Sequence, residues 1–468
     1  MQNISERRPS KGKLPRAPRP MGAAGNGTAS LLERRSTDAR AHGPLFLQGV
    51  GPFFVIAITK NKEEEMTNYE QARRMVIDKV APAGVERVLL LEAPGRVLAE
   101  DYVAPKDMPR WNNSAMDGFA VRSADCAPGT VLKVTDYIPA GVSSDDAVTP
   151  GCAARIMTGA PIPPGADAVV PIEETENTAE TVKLLQQVKK HDHIRFQGED
   201  VRGGEVIMTR GTLIGAPQVS LLASFSSVLV PVYRRVRVAI LSTGDELVEI
   251  GTEPKESQIV NSNTLALATA VKLCGAEPVI LGIARDDRDS HRALLSEGLK
   301  ADVLITSAGV SAGDRDLVRE ILAELGVVEQ FWKPGIKPGG PTAFGMKGNV
   351  PVFSLPGNPV STMITFEEFA RPAILRMMGH EKVFRRTVRG VLKEGARKKV
   401  GKVNFLRVHV SIEGGRFVAS TSGDQNTGIL KTMLRCNALA ILPAEATEFA
   451  AGAEVDLHLL DPTLEMEV

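Results

Sequence analysis

The amino-acid sequence predicts a multidomain protein of α/β plus β class, with a parallel-sheet α/β domain between two regions of compact β structure. Three observations point there. The chain has 468 residues, and about 150 residues per domain gives a prior of roughly three domains. Between about 236 and 375, apolar strand-like runs alternate with helical segments, the spacing of a parallel sheet with helices on both faces. On either side the pattern changes to short apolar runs cut by Gly, Pro and Asp, as in β domains.

Composition excludes several classes. Lys+Arg and Asp+Glu are both 56, and a chain without basic excess lacks the charge that phosphate-backbone binding requires. Hydrophobic residues at 43% and charged residues at 24% are ordinary for a soluble globular protein. The longest apolar stretch, 44–59, is interrupted by Gln48, Gly49, Gly51 and Pro52 and is too short to span a bilayer. Cys126, Cys152, Cys274 and Cys436 are scattered, match no zinc or haem spacing and suit a reducing cytoplasmic compartment. His191 and His193 have no third ligand nearby and read as an exposed loop.

Residues 1–40 carry nine basic and three acidic residues with no helical or strand period, and 1–65 are expected to be a disordered extension. Order is expected from Thr67, which with Glu70 spells a capping box ahead of a face made by Ala72, Met75, Val76 and Val80. Between 104 and 195, runs such as 131–134 and 168–170, with the turn-rich "GAPIPPGAD" (159–167) between them, read as strands of a β domain. In the α/β region "VRVAIL" (236–241) is a buried strand, followed by a helix that Asn263 can cap. "EPVILGIA" (277–284), a helix over 289–299, "DVLITS" (302–307), a helix over 316–325 and "VVEQFWK" (327–333) repeat the unit. "VPVFSL" (350–355) leads into a last helix from Val360. After Phe384, "FLRVHV", "RFVAS", "ALAIL" and "EVDLHLL" are the strands of a terminal β domain.

In an open parallel sheet, ligands bind beyond the carboxyl ends of the strands. Here those ends run into "STGDE" (242–246), "RDD" (285–287), "SAGVSAGDRD" (307–316), "KPGIKPGGP" (333–341) and "LPGNPVS" (355–361). Turn chemistry explains one or two such loops and explains five poorly. Gly309, Ser311 and Gly313 allow backbone N–H groups close to an oxyanion, and Lys333 and Lys337 add positive charge. Asp245, Glu246, Asp286, Asp314 and Asp316 crowd the same edge, and carboxylates tolerate phosphates when Mg²⁺ lies between them. Neither a GxxxxGK[ST] nor a GxGxxG motif is present, so P-loop and Rossmann readings lose their main support. Earlier in the chain, Asp117 precedes Gly118 and locally reads as an Asp-Gly turn. Glu199 and Asp200 read as a solvated loop. The residues alone thus indicate a phosphorylated ligand and a divalent ion.

The motifs "NSAMDGFA", "RIMTGAPIP", "GED", "STGDEL", "SAGVSAGDRD" and "LPGNPVS", in this order from Met66 to the C-terminus, resemble the molybdopterin molybdenumtransferase family, the MoeA-type proteins related to the terminal domain of gephyrin. The resemblance implies insertion of molybdenum from molybdate into adenylated molybdopterin with release of AMP, in a cytoplasmic homodimer. It implies contact with the upstream adenylyltransferase and downstream molybdoenzymes, and no nucleic-acid or membrane partner. It divides the chain into a discontinuous linker domain (66–103 and 199–230), an inserted β domain (104–198), an α/β molybdopterin-binding domain (231–381) and a C-terminal β-barrel-like domain (382–468). The cleft of such proteins joins the α/β domain of one subunit to the inserted domain of the other. Carried over residue by residue, Asp117 and Glu246 are catalytic. Thr158, Asp200, Ser307, Ser311, Asp316, Lys333, Lys337, Pro356, Pro359 and Arg407 bind substrate, and Glu246 and Asp286 hold Mg²⁺. Two departures stand out: Ala308 where "SGGVS" is usual, and Gly340 in place of the second Lys of "KPGKP". A non-catalytic gephyrin-like scaffold and a molybdopterin adenylyltransferase are the competing readings.

Overall fold

The computed structural model describes residues 68–309 and 317–465. The expectations for 1–65, Thr67, Ser311, Gly313, Asp314 and Asp316 fall outside them. The first helix, Tyr69–Lys79, is capped by Asn68, whose side chain accepts from the Glu70 N–H at 2.9 Å, so the cap stands one residue later than the expected box. Its buried face, Tyr69, Ala72 and Val76, packs into the core shared by the α/β sheet and the last helical run.

Two segments far apart in sequence then meet. Val85–Leu89 pairs antiparallel with Leu229–Tyr233, and Tyr102–Val103 pairs with Val206–Met208. Between them a six-stranded sheet forms in the order Ala168–Pro171, Gly118–Val121, Cys152–Ile156, Val131–Ile138, Thr181–Leu184, Thr175–Asn177. Its cores lie on both faces, around Phe119, Leu132 and Val170 and around Ile138, Ile156 and Val169.

The α/β region has six strands in one sheet: β1 (Arg237–Thr243), β2 (Glu277–Ala284), β3 (Val303–Ser307), β4 (Val328–Trp332), β5 (Ala343–Lys347) and β6 (Val350–Leu355). Their order is β2-β1-β3-β6-β5-β4. β1, β2, β3 and β6 are mutually parallel, and β5 runs antiparallel to both β6 and β4. β4 therefore points the same way as the parallel four, and the sheet is mixed rather than wholly parallel. The unexpected strand β5 exists because Gly348, at φ +56°, closes a two-residue hairpin from Lys347 to Val350. The helix after β1 is Ser262–Leu273, capped by Asn261 and not by Asn263.

The last helical run passes from Pro359–Thr365 through a π-turn, Phe366–Ala370, into Arg371–Met377. Pro372 has no N–H for the Glu368 carbonyl, and the wider turn absorbs the missing bond, with the Arg371 N–H donating to the Phe366 carbonyl. The π-turn buries Glu368. Its carboxylate accepts from Tyr69 Oη at 2.5 Å and meets His458 Nδ1 at 2.9 Å. A carboxylate can only accept, so the proton of that second contact sits on Nδ1.

Beyond Phe384, Val403–Glu413, Arg416–Thr421, Thr387–Leu392, Glu454–Leu459 and Ala438–Leu442 pair in turn, and the last returns to the first. This closes a five-stranded barrel around Val408, Ala419 and Leu457. No helix among the described residues is long and apolar enough to cross a membrane. All four cysteines are free thiols.

Candidate functional site

The chain order reverses between β1 and β3: β2 lies on one side of β1 and β3 on the other. A crevice is expected there, outside the carboxyl ends of the strands, and a cavity of about 420 Å³ occupies it. Glu246, Ser307, Pro356 and Pro359 line it, together with Ser242, Asn261, Asn263, Ala308 and Pro341. Three of the five predicted loops thus converge on one space, and the fourth reaches it through Pro341.

The loop after β1 is shaped by Gly244, at φ +133°. The Glu246 carboxylate folds over it so closely that a Cβ on residue 244 would meet Oε2 at 2.3 Å. The Glu246 side chain is exposed, and its backbone carbonyl accepts from the Ile259 N–H. Asp245 Oδ1 accepts from the Asp286 N–H at 3.2 Å, which ties this loop to the one after β2. Arg285 Nη1 also donates to the Asp245 and Leu247 carbonyls. Asp245, Glu246 and Asp286 are all exposed.

A polar network fixes the other wall. Asn263 Nδ2 donates to Ser307 Oγ at 2.9 Å and to the Gly357 carbonyl at 2.8 Å, stitching the loops after β3 and β6 together. Ser242 Oγ donates to Asn261 Oδ1 at 3.0 Å, and Thr362 Oγ1 donates to the Pro356 carbonyl at 2.6 Å. Pro359 opens the helix at its first turn, where a missing N–H costs nothing. Ala308 holds φ +78° beside Ser307. An L-residue there costs about 1–2 kcal/mol, and Gly at the same place relieves it at some expense in unfolded-chain entropy. Ala308→Gly should therefore raise the denaturant midpoint, corresponding to about 0.5–1 kcal/mol. A lowered midpoint would contradict the strained conformation.

Lys333 follows β4 and so stands at the same edge of the sheet. Its φ is +58°, its N–H donates to the Thr342 carbonyl, and its Nζ sits 3.5 Å from the centre of the Trp332 ring. Lys337 is exposed on a short strand, Ile336–Lys337, that runs parallel to Val403–Asn404 of the barrel.

The remaining candidates lie elsewhere. Asp117 is exposed, and its Oδ1 accepts from both Thr158 Oγ1 and the Thr158 N–H at 2.7 Å. Those two donors, the hydroxyl foremost, hold the Asp117 carboxyl below the usual carboxylate range. Asp200 is exposed in the turn that follows Ile194–Arg195, with its N–H donating to the Met108 carbonyl. None of these three lines the cavity beside Glu246. Arg407 is fully buried in the barrel wall and donates through Nη2 to the Asp424 and Asn426 carbonyls, so its guanidinium braces a turn within its own domain.

Among the described residues, no group of three or more His, Cys, Asp or Glu side chains could hold a metal ion. The exposed carboxylates of two adjoining loops do not make an all-protein cage. They are hard oxygen donors, of the kind Mg²⁺ accepts one or two of.

Sequence reasoning missed Asn261, Asn263 and Arg285. Asn261 and Asn263 lie in the "NSN" that starts a helix, where capping already explains an Asn. The available signal was a second Asn beyond the one a cap needs.

Comparison with known proteins gives three family matches along the chain: MoeA N-terminal region (domain I and II) over 67–226, probable molybdopterin binding domain over 239–376, and MoeA C-terminal region (domain IV) over 389–460. Molybdopterin molybdenumtransferase 2 of Mycobacterium tuberculosis is 35% identical over 405 residues, 84% of this chain and 99% of its own length. Molybdopterin molybdenumtransferase of Haemophilus influenzae is 34% identical, covering 84% of this chain and all of the relative. Among solved structures, the molybdopterin biosynthesis MoeA protein of Pyrococcus horikoshii superposes with a TM-score of 0.75 at 30% identity, covering 85% of this chain and all of that one.

Proposed function

The chain belongs to the molybdopterin molybdenumtransferase family, and from that premise we propose that the cavity between β1 and β3 is half of its active site. The activity is that of a transferase: molybdenum from molybdate is inserted into adenylated molybdopterin, and AMP is released. Scaffold and adenylyltransferase readings give way, because relatives named for the transfer reaction match 84% of the chain. The observation that carries the site assignment is the convergence of Glu246, Ser307, Pro356 and Pro359 on one cavity at the strand-order switch.

In this reading the adenylated pterin lies along the carboxyl edge, with Ser307, Pro356 and Pro359 shaping its seat and Lys333 and Lys337 facing its phosphates. Ser311 and Asp316 belong to the same group of substrate contacts. Glu246 and Asp286 would hold Mg²⁺, which supplies neutralisation of phosphate charge. Water attacks phosphorus in the phosphoanhydride while a carboxylate orients it and takes its proton, and AMP departs. Glu246 serves that role from this edge. Asp117, kept ionised by Thr158, is the second catalytic carboxylate and the alternative for that role, and Asp200 binds substrate. Arg407 acts from the barrel by fixing the 424–426 turn.

Asp117 does not line the cavity that holds Glu246, which supports a site completed by a second copy. The ribbon of Val85–Leu89 and Leu229–Tyr233 supports the same conclusion. A two-stranded sheet is marginal alone, yet this one leaves Val85, Leu89 and Leu229 exposed, with Leu91 and Val228 beside them. A patch of that kind calls for a partner surface. The domain division is proposed at 66–103 with 199–230, 104–198, 231–381 and 382–468, and the distant pairings Val85–Leu89 with Leu229–Tyr233 and Tyr102–Val103 with Val206–Met208 support its discontinuous first part. A homodimer in the cytoplasm, supplied by the adenylyltransferase and serving molybdoenzymes, completes the proposal.

Mixing inactive Asp117→Asn and Glu246→Gln proteins tests it. Exchange of subunits should give heterodimers with one intact cleft each and restore up to about half the activity per heterodimer by symmetry. Exchange without recovery would overturn the shared site.

A further inference from the structure

We propose that Trp332 is a positioning residue for Lys333, holding its ammonium group at the carboxyl edge of the sheet ready for a phosphate of the substrate. The inference rests on the proposed role of Lys333 in substrate binding. Lys333 leaves β4 with φ +58°, a backbone conformation that turns the side chain back, and its Nζ lies 3.5 Å from the Trp332 ring centre. The Arg319 guanidinium lies 3.8 Å from the same centre. Two cations so close over one ring cannot share a face, so Trp332 is sandwiched between them.

Arg319 is itself fixed. Its Nε and Nη2 donate to the two carboxylate oxygens of Glu329 at 2.9 Å each, and it stands in the first turn of the helix Leu317–Glu324. That helix lies between β3 and β4 in the chain, so the stack ties it to the residue that follows β4 through one rigid ring. The indole itself argues for a role beyond packing. Trp332 Nε1 is buried with no hydrogen-bond partner among the described residues, a burden phenylalanine would not carry. What tryptophan adds is the strongest ring face for a cation.

An ammonium seated on a ring points one N–H at the face and keeps two for other acceptors. The ring therefore does not compete with a phosphate. It removes much of the rotamer freedom of a long side chain before the substrate arrives, which is preorganisation.

Kinetics of adenylated-molybdopterin turnover in a double-mutant cycle test this. Trp332→Leu should raise KM on the order of tenfold with kcat changed less than about twofold, the scale of a partly desolvated cation–π contact. Trp332→Phe, which keeps a ring, should recover most of that loss. Lys333→Ala should raise KM at least as much, and adding Trp332→Leu to it should raise KM no further. Trp332 is one of two tryptophans, so in a Trp111→Phe background its emission should shift on titration with AMP and stop shifting in Lys333→Ala. If Lys333→Ala raises KM while Trp332→Leu leaves it unchanged, or if the two effects add in full, the positioning role is overturned and the substrate role of Lys333 stands. If Lys333→Ala leaves KM unchanged, the substrate role of Lys333 fails and the inference with it.

Discussion

Glu246→Gln is expected to slow molybdate-dependent AMP release by on the order of 10²–10⁴, the usual scale for an acid–base group. Its carboxylate is exposed in the cavity at the end of β1, folded over Gly244. The residue precedes the short strand Leu247–Val248 and not a helix, so a helix-start charge is not its role. An exposed carboxylate with no ion pair among the described residues contributes little to folding. Stability should change by less than about 1 kcal/mol, and binding of the adenylated pterin should survive because Gln keeps the shape. Single-turnover AMP release and calorimetric binding, measured together, separate these effects. Near-normal release by the variant would move the proton-accepting role to Asp117 or Asp286.

The largest loss of stability is expected from Glu368→Ala. Glu368 is buried between three parts of the chain: Tyr69 of the first helix, its own π-turn and His458 of the barrel. Burial alone would push its pKa up, but the His458 contact and the Tyr69 hydroxyl outweigh that and hold it below the usual glutamate range. Removing the carboxylate leaves two buried donors without an acceptor, and the expected cost is about 3–5 kcal/mol. The pH dependence comes from the direction of the shift. A carboxylate whose pKa is lowered by folding contributes its full stabilisation above the unfolded value, about pH 4–5, and loses it as the pH falls through the lower folded value. Wild type should therefore lose stability on acidification in a way the Ala variant does not. Equal slopes of denaturation midpoint against pH in the two proteins would contradict this account.

The strands and the loops at the carboxyl edge were legible because buried parallel strands read as apolar runs and the loop after each run is local sequence. β5 was not, since its identity depends on the Gly348 hairpin and on pairing with β6. Asp117 looked like an ordinary Asp-Gly turn because its partner Thr158 lies 41 residues away. Asn263 looked like a cap because its bonds to Ser307 and Gly357 cross the cavity. Glu368 is hidden more deeply still. In "FEEFA" one Glu pairs with Arg385 near the surface and the other is buried, and only the π-turn caused by Pro372 decides which. Ala308 holds a positive φ, a conformation that Gly adopts without strain and that no local sequence signal announces. The resemblance implies a ligand contact for Arg407, whereas the fold encloses its side chain and gives Nη2 to the Asp424 and Asn426 carbonyls.

The central claim is that this chain couples release of AMP from adenylated molybdopterin to the supply of molybdate at the carboxyl edge of its α/β sheet. The most direct test is a single-turnover measurement on the wild-type protein loaded with adenylated molybdopterin, following AMP before and after molybdate is added. The expected result is little AMP without molybdate and about one equivalent per site once it is present, with molybdenum retained on the pterin. Release at the same rate with and without molybdate, or no release in either case, would contradict it.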